Sequence, residues 1–127
     1  MRDQIKLTFT IGFAPRLAGE AAFLRHVKRA AATVCGGYTC HMAEGGWIAA
    51  AGETRADTYD VGALETETAF VLDLTCEAHK ADAALSAMQH AIATGAAVFA
   101  MPVDWVHVNE ARVTARHFSV AAMLATA

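Results

Sequence analysis

Six histidines are the first residues in this 127-residue chain that could do chemistry, because imidazole serves as acid, base and ligand near neutral pH. His41 and His107 each fall in a stretch of alternating polarity, and Asp73 and Glu67 share a third such stretch. If the three stretches lie in one sheet, a carboxylate would orient an imidazole, the least apparatus that general acid and base catalysis needs. The competing expectation is four strand residues facing water. Cys35, Cys40-His41 and Cys76-x-x-His79 supply soft and imidazole donors for a metal, but the chain lacks the paired Cys-x-x-Cys knuckle of a structural site. Cys40 and Cys76 also alternate in phase with apolar neighbours, where cysteine serves as a small core residue. Neither a metal nor a cofactor is therefore expected. Ser86 and Ser119 are the chain's two serines, and neither sits in a nucleophile elbow. Walker, dinucleotide-binding and HExxH patterns are absent.

Binding residues are of a different kind. Gly36-Gly37 and Gly45-Gly46 could hold an anion through backbone N-H groups, although turn formation explains both pairs. Trp47 and Trp105 are costly to expose, so each belongs to a core or to a contact surface. Tyr38, Trp47 and Tyr59 flank a hairpin and a loop, a placement that would stack a planar ring under a closing lid. The expected ligand surface is Thr39, His41, Trp47, Tyr59, Trp105 and His107, and the expected ligand is small and anionic or nucleotide-like. Arg25, Lys28 and Arg29 cluster on one helix. At a net charge of -3 they read as a solvated face.

The elements that must position these residues follow from periodicity. Ile5, Leu7, Phe9, Ile11 and Phe13 occupy every second place, which predicts a strand with one wet face. From Arg16 to about Val34, Leu17, Ala21, Leu24, Val27 and Ala31 take helical spacing, and Gly36-Gly37 closes the helix. Tyr38 to Met42 and Trp47 to Ala51 read as a hairpin turned by Glu44-Gly45-Gly46. Residues 52 to 65 have no period and read as a mobile loop. Period two returns over 66 to 77, with Phe70, Leu72, Leu74 and Cys76 on one side and Glu67, Ala69, Val71, Asp73, Thr75 and Glu77 on the other. A second helix is predicted over 79 to about 94, ended or weakened by Gly95, and a strand over Val103 to Val108 with Asn109-Glu110 turning the chain back. Residues 111 to 127 fit strand and helix equally.

Strand, helix, hairpin, strand, helix, strand is the order of a split β-α-β unit. The fold class expected is thus α+β: a ferredoxin-like sandwich over residues 1-127, an antiparallel sheet with two helices on one face and an additional C-terminal strand or helix. The first strand and the one after the loop should be central. With both helices on one side, the second sheet face stays open. It should present Lys6, Thr8, Thr10, Thr39, His41, Glu67, Val71, Asp73, Thr75 and either Trp105 with His107 or their neighbours.

The pattern Gly36-Gly37-Tyr38-Thr39, Gly45-Gly46-Trp47, Gly52-Glu53, followed by the strands Glu67 to Leu74 and Val103 to Val108, resembles small uncharacterised phage and bacterial proteins of ferredoxin-like layout with a GGYT, GGW, GE hairpin signature. That resemblance covers somewhat over half of the chain. It implies a phage-borne domain acting on a host factor or a nucleotide-derived small ligand, and it assigns no catalytic residue. Composition narrows the rest. Lys+Arg 10 against Asp+Glu 13 disfavours a nucleic-acid partner, and no apolar run reaches membrane length. Met1 to Lys6 alternates charged and apolar residues where a secretory signal would be hydrophobic, and three cysteines fit a reduced compartment, so a cytoplasmic location is expected. The leading expectation is a non-enzymatic, homo-oligomeric binding module, dimeric or higher. The alternative is a small dimeric α+β barrel-type isomerase or lyase using His41 or His107 with Asp73 or Glu67.

Overall fold

The computed structural model describes residues 3-48 and 59-125. Strand β1 (Gln4–Phe13) buries Ile5, Leu7, Phe9, Ile11 and Phe13 and turns Lys6, Thr8 and Thr10 the other way, as alternation requires. Helix α1 (Glu20–Cys35) buries Phe23, Val27 and Ala31, one stripe at i, i+4 and i+8. It stops at Gly36, whose φ of 80° lies in the left-handed region and lets its N-H donate to the Ala32 carbonyl at 2.8 Å. Strands β2 (Thr39–Ile48) and β3 (Leu64–Glu77) follow, then helix α2 (Ala81–Val98), strand β4 (Val106–Val113) and the short helix α3 (Val120–Ala125).

The sheet order is β2-β3-β1-β4 with every neighbouring pair antiparallel. α1 carries the chain from β1 past β3 to β2, and α2 carries it from β3 past β1 to β4. This is the ferredoxin-like α+β layout, with β1 and β3 central. Both helices lie on the same side, where Phe23, Val27, Ala84, Met88 and Ile92 join the inward residues of β1 and β3 in one core. Leu7, Phe9, Ile11 and Leu72 are fully buried. None of the described helices is long and apolar enough to cross a membrane.

Several boundaries differ from the sequence expectation. Glu44-Gly45-Gly46 is not a turn: β2 runs straight through it, with Gly45 opposite Glu67 and Gly46 opposite Thr66. The glycine pair was read as a turn because glycine permits one, but here β3 supplies the ladder partners. The predicted loop 52-65 falls largely outside the described residues. Its described end holds a 3-10 turn at Val61–Ala63 and the start of β3 at Leu64. α1 starts at Glu20, later than predicted, and α2 passes through Gly95 to Val98. Gly95 is there because α1 comes too close for a side chain: a β-carbon would lie 2.7 Å from His26 Cδ2 and 3.3 Å from Phe23 Cδ1. Asn109-Glu110 makes no turn, since β1 pairs with β4 as far as Val113 opposite Gln4. The ambiguous tail resolves as strand to Val113 and helix from Val120.

Two stability predictions test this packing. Leu72→Ala opens a cavity in the fully buried layer and should cost about 2–5 kcal/mol in urea unfolding; a loss under 1 kcal/mol would place β3 elsewhere than the centre. Gly95→Ala sets a helix-propensity gain of about 1 kcal/mol against an overpacking cost of about 1–3 kcal/mol. The clash should win, because it also separates His26 Nε2 from the Ala91 carbonyl it meets at 3.1 Å. Adding His26→Ala should then recover part of the loss; a stabilised single variant would contradict the close helix contact.

Candidate functional site

Among the described residues, neither α1 nor α2 covers the second face of the sheet, since both pack on the core side. Strand register sorts its residues into rows running across β2, β3, β1 and β4. One row is Thr39, Asp73, Thr8 and Asn109; the next is His41, Val71, Thr10 and His107; a third begins Ala43, Ala69 and Gly12. All the residues expected on the open face from β1, β2 and β3 are there, and β4 adds His107, Asn109 and Ala111. Trp105 precedes β4 at the rim.

The rows also decide which residues meet. His41 and His107 occupy one row but on opposite edge strands, so three strand spacings, about 14 Å, separate their backbones. Asp73 lies diagonal to His41, and its carboxylate is engaged elsewhere: Thr8 Oγ1 donates to Asp73 Oδ1 at 2.6 Å, and Lys6 Nζ stands 3.9 Å from Oδ2. Glu67 pairs with Gly45, four residues along β2 from His41. His107 Nε2 meets Asn109 Oδ1 at 3.2 Å, a neighbour on its own strand. Neither His41 nor His107 therefore meets Asp73 or Glu67 among the described residues; an imidazole approaches a carboxylate instead just past the end of β3, where His79 Nδ1 stands 3.5 Å from Glu77 Oε2. Among those same residues, no group of three or more His, Cys, Asp or Glu side chains could hold a metal ion.

Among the described residues, concavities lie at both ends of the face, with a small one beside Ala43 and Glu67 and two larger ones. The first, a cleft of about 890 Å³, lies where β1 begins and is lined by Lys6, Asp73, Thr75, Thr39, Tyr38, Gly36, Gly37, Cys35, Val113 and His117. The amide of Gly36 is already spent on the helix cap, so the expected glycine cradle for an anion is reduced at that position. Lys6 is half-exposed and paired loosely with Asp73, an interaction worth about 0–1 kcal/mol at such a surface. Burial pushes the Cys35 thiol above its ordinary value, and the adjacent Cys76 thiol adds to the rise. Cys35 is held as a thiol, which is the poor nucleophile of the two forms.

The second concavity, about 360 Å³, lies at the far end of β1, where Gly12, Glu67, Trp47, Asp104 and Trp105 meet with Phe13, Ala14 and Pro102. Its floor is stripped of side chains. A β-carbon on Gly12 would fall onto the Glu67 carboxylate, and one on Gly45 would come within 3.7 Å of Glu67 Cγ. Trp105 is 89% exposed and Trp47 47%, so neither belongs to the core. Tyr59 precedes the 3-10 turn, half-exposed, and lines neither concavity. Sequence reading missed Gly12 and His117. Gly12 carried a signal, being the one glycine in an otherwise side-chain-bearing strand, which marks a close approach.

Beyond β4 the chain leaves the sheet. Phe118 is 74% exposed, Val120 66% and Leu124 72%. In α3, Val120, Met123 and Leu124 stand at i, i+3 and i+4, an apolar stripe outside the hydrophobic core formed by the described residues.

No protein-family model matches the chain, and no curated protein matches it in sequence. Solved structures of similar layout include CutA from Synechococcus elongatus PCC7942, at 11% identity and TM-score 0.46, covering 87% of this chain and 77% of that one. Another is the periplasmic divalent cation tolerance protein CutA from Archaeoglobus fulgidus, at 7% identity and TM-score 0.41, covering 93% and 89%. A Bacillus cereus protein related to NIF3 matches at 7% identity and TM-score 0.44, over 89% of this chain but 27% of its own length. These distant likenesses concern the arrangement of strands and helices, and they assign no role to any residue of the open face.

Proposed function

We propose that this chain is a non-enzymatic binding module that associates with a second copy of itself, and that small ligands meet the ends of its open sheet face. The observation that carries this reading is the C-terminal segment. Phe118, Val120 and Leu124 are apolar and largely exposed beyond the end of β4, and exposed apolar groups clustered in one short segment are the ordinary mark of an interaction surface. A second copy is the economical occupant, because a symmetric pair buries the same stripe twice. The cleft at the Lys6 end suits a small ligand with an anionic or hydroxyl group, which would meet Lys6, Thr39 and His117. A nucleotide-derived molecule has both kinds of group. A host protein, the partner implied by the sequence resemblance, would compete with the second copy for the same stripe.

Light scattering during gel filtration tests the association directly. The wild type is expected as a dimer or higher oligomer at micromolar concentration, and the Val120→Asp, Leu124→Asp double variant as a monomer. A symmetric pair buries four such side chains, worth about 6 kcal/mol or more, so the dissociation constant of the variant should rise about ten-thousandfold. Both positions are exposed, so its urea unfolding under monomeric conditions should match that of diluted wild type. A wild type that stays monomeric throughout removes the reading.

A further inference from the structure

We propose that the basin between Trp47, Glu67 and Trp105 is a binding site for a small organic cation, one that carries its charge on an apolar or planar frame such as a methylated ammonium or a guanidinium. Three observations converge on this chemistry. The first is charge: Glu67 and Asp104 line the basin, and Glu65 stands opposite Trp47 on the same sheet face. Among the described residues no lysine or arginine pairs with Glu67 or Asp104, so these two carboxylates give this end of the face an anionic lining.

The second is the indole pair. The chain has two tryptophans, and both reach the same basin from different strands, Trp47 from β2 and Trp105 from the approach to β4. An indole face attracts a cation through its quadrupole, and more so for a weakly hydrated organic ion than for a hard one. The third is the floor. Gly12 leaves the space in which the Glu67 side chain lies across β1, and a residue of any other type there would displace the carboxylate. The sheet is thus shaped to bring one carboxylate to the centre of a hollow walled by indoles. A hard divalent ion fits poorly, since it demands about six oxygen ligands. The hollow of about 360 Å³ is at the small end of ligand sites, a match for an ion of a few carbons.

The proposal does not depend on self-association, because the exposed C-terminal stripe leaves from the other end of the sheet. Nuclear magnetic resonance of the two indole N-H signals tests it, with Trp105→Ala assigning which is which. Tetramethylammonium and guanidinium are titrated at constant ionic strength against sodium, with tert-butanol as the neutral analogue. The wild type should show saturable shifts of both indole signals with the organic cations and none with sodium or tert-butanol. Trp105→Ala should weaken binding about two- to fivefold, as read on the Trp47 signal, the scale of one exposed cation-indole contact. Glu67→Gln should weaken it at least as much, while Asp82→Asn on α2 should leave it unchanged. Equal binding of the neutral analogue, a linear response matching sodium, or indole signals that respond to protein concentration and not to cation would each overturn the proposal. The last of these would show the basin to be covered by a second copy.

Discussion

The surface of this molecule follows from one asymmetry: the two long helices, α1 and α2, lie on the same side of the four-stranded sheet. β1 and β3 are central, and their alternate residues are separated by the pleat into a set that packs under Phe23, Val27, Met88 and Ile92 and a set that meets no helix. The buried set comprises large apolar groups such as Phe9, Ile11, Phe70 and Leu72, each worth about 1.5–3 kcal/mol when removed from water. That energy fixes the register, since a slip of one residue would exchange the two faces. The open face is positioned by the same force although it contributes little to it. Its residues are free to be chosen for contact with something else.

The pleat also explains what the sequence could and could not disclose. Period-two alternation assigned Lys6, Thr8, Thr10, Glu67, Asp73 and His41 to the open side correctly, because face depends only on parity within a strand. Whether His41 meets Asp73 depends on register between strands and on strand order, neither of which parity contains. The imagined acid-base pair failed at that step: Thr8 and Lys6, on the neighbouring central strand, reach Asp73. Glycine misled in a second way. Gly45-Gly46 and Gly95 suggest what glycine permits, a turn or a helix end, whereas the surroundings of Gly95 use what glycine lacks: it makes room for His26, and Gly45 sits in an unbroken strand where a β-carbon would also fit.

The two ends of the open face differ in chemistry for reasons of local sequence. At the start of β1, Lys6 offsets Asp73, and Tyr38, Thr39 and His117 add hydroxyls and an imidazole, so the cleft is polar and close to balanced. At the far end the carboxylates of Glu67 and Asp104 meet no lysine or arginine among the described residues, and two indoles share the lining. A single ligand spanning both would have to lie along most of β1, some ten residues or about 33 Å of strand. That is longer than any small molecule suited to either concavity, so the two hollows are too far apart to hold one ligand between them.

Separation also decides how association and ligand binding coexist. The C-terminal segment departs from Val113, which pairs with Gln4 at the start of β1, whereas Trp105 precedes Val106, which pairs with Ile11 near its end. Eight residues of β4, about 26 Å of extended chain, lie between the apolar stripe's point of departure and the indoles. A second copy seated on Phe118, Val120 and Leu124 therefore approaches from the cleft end. It would narrow the cleft first, through His117 and Val113, and reach the tryptophan basin last. Ligand occupancy at the cleft should thus be coupled to association, because the same tail forms part of both, while occupancy of the basin should be independent of it.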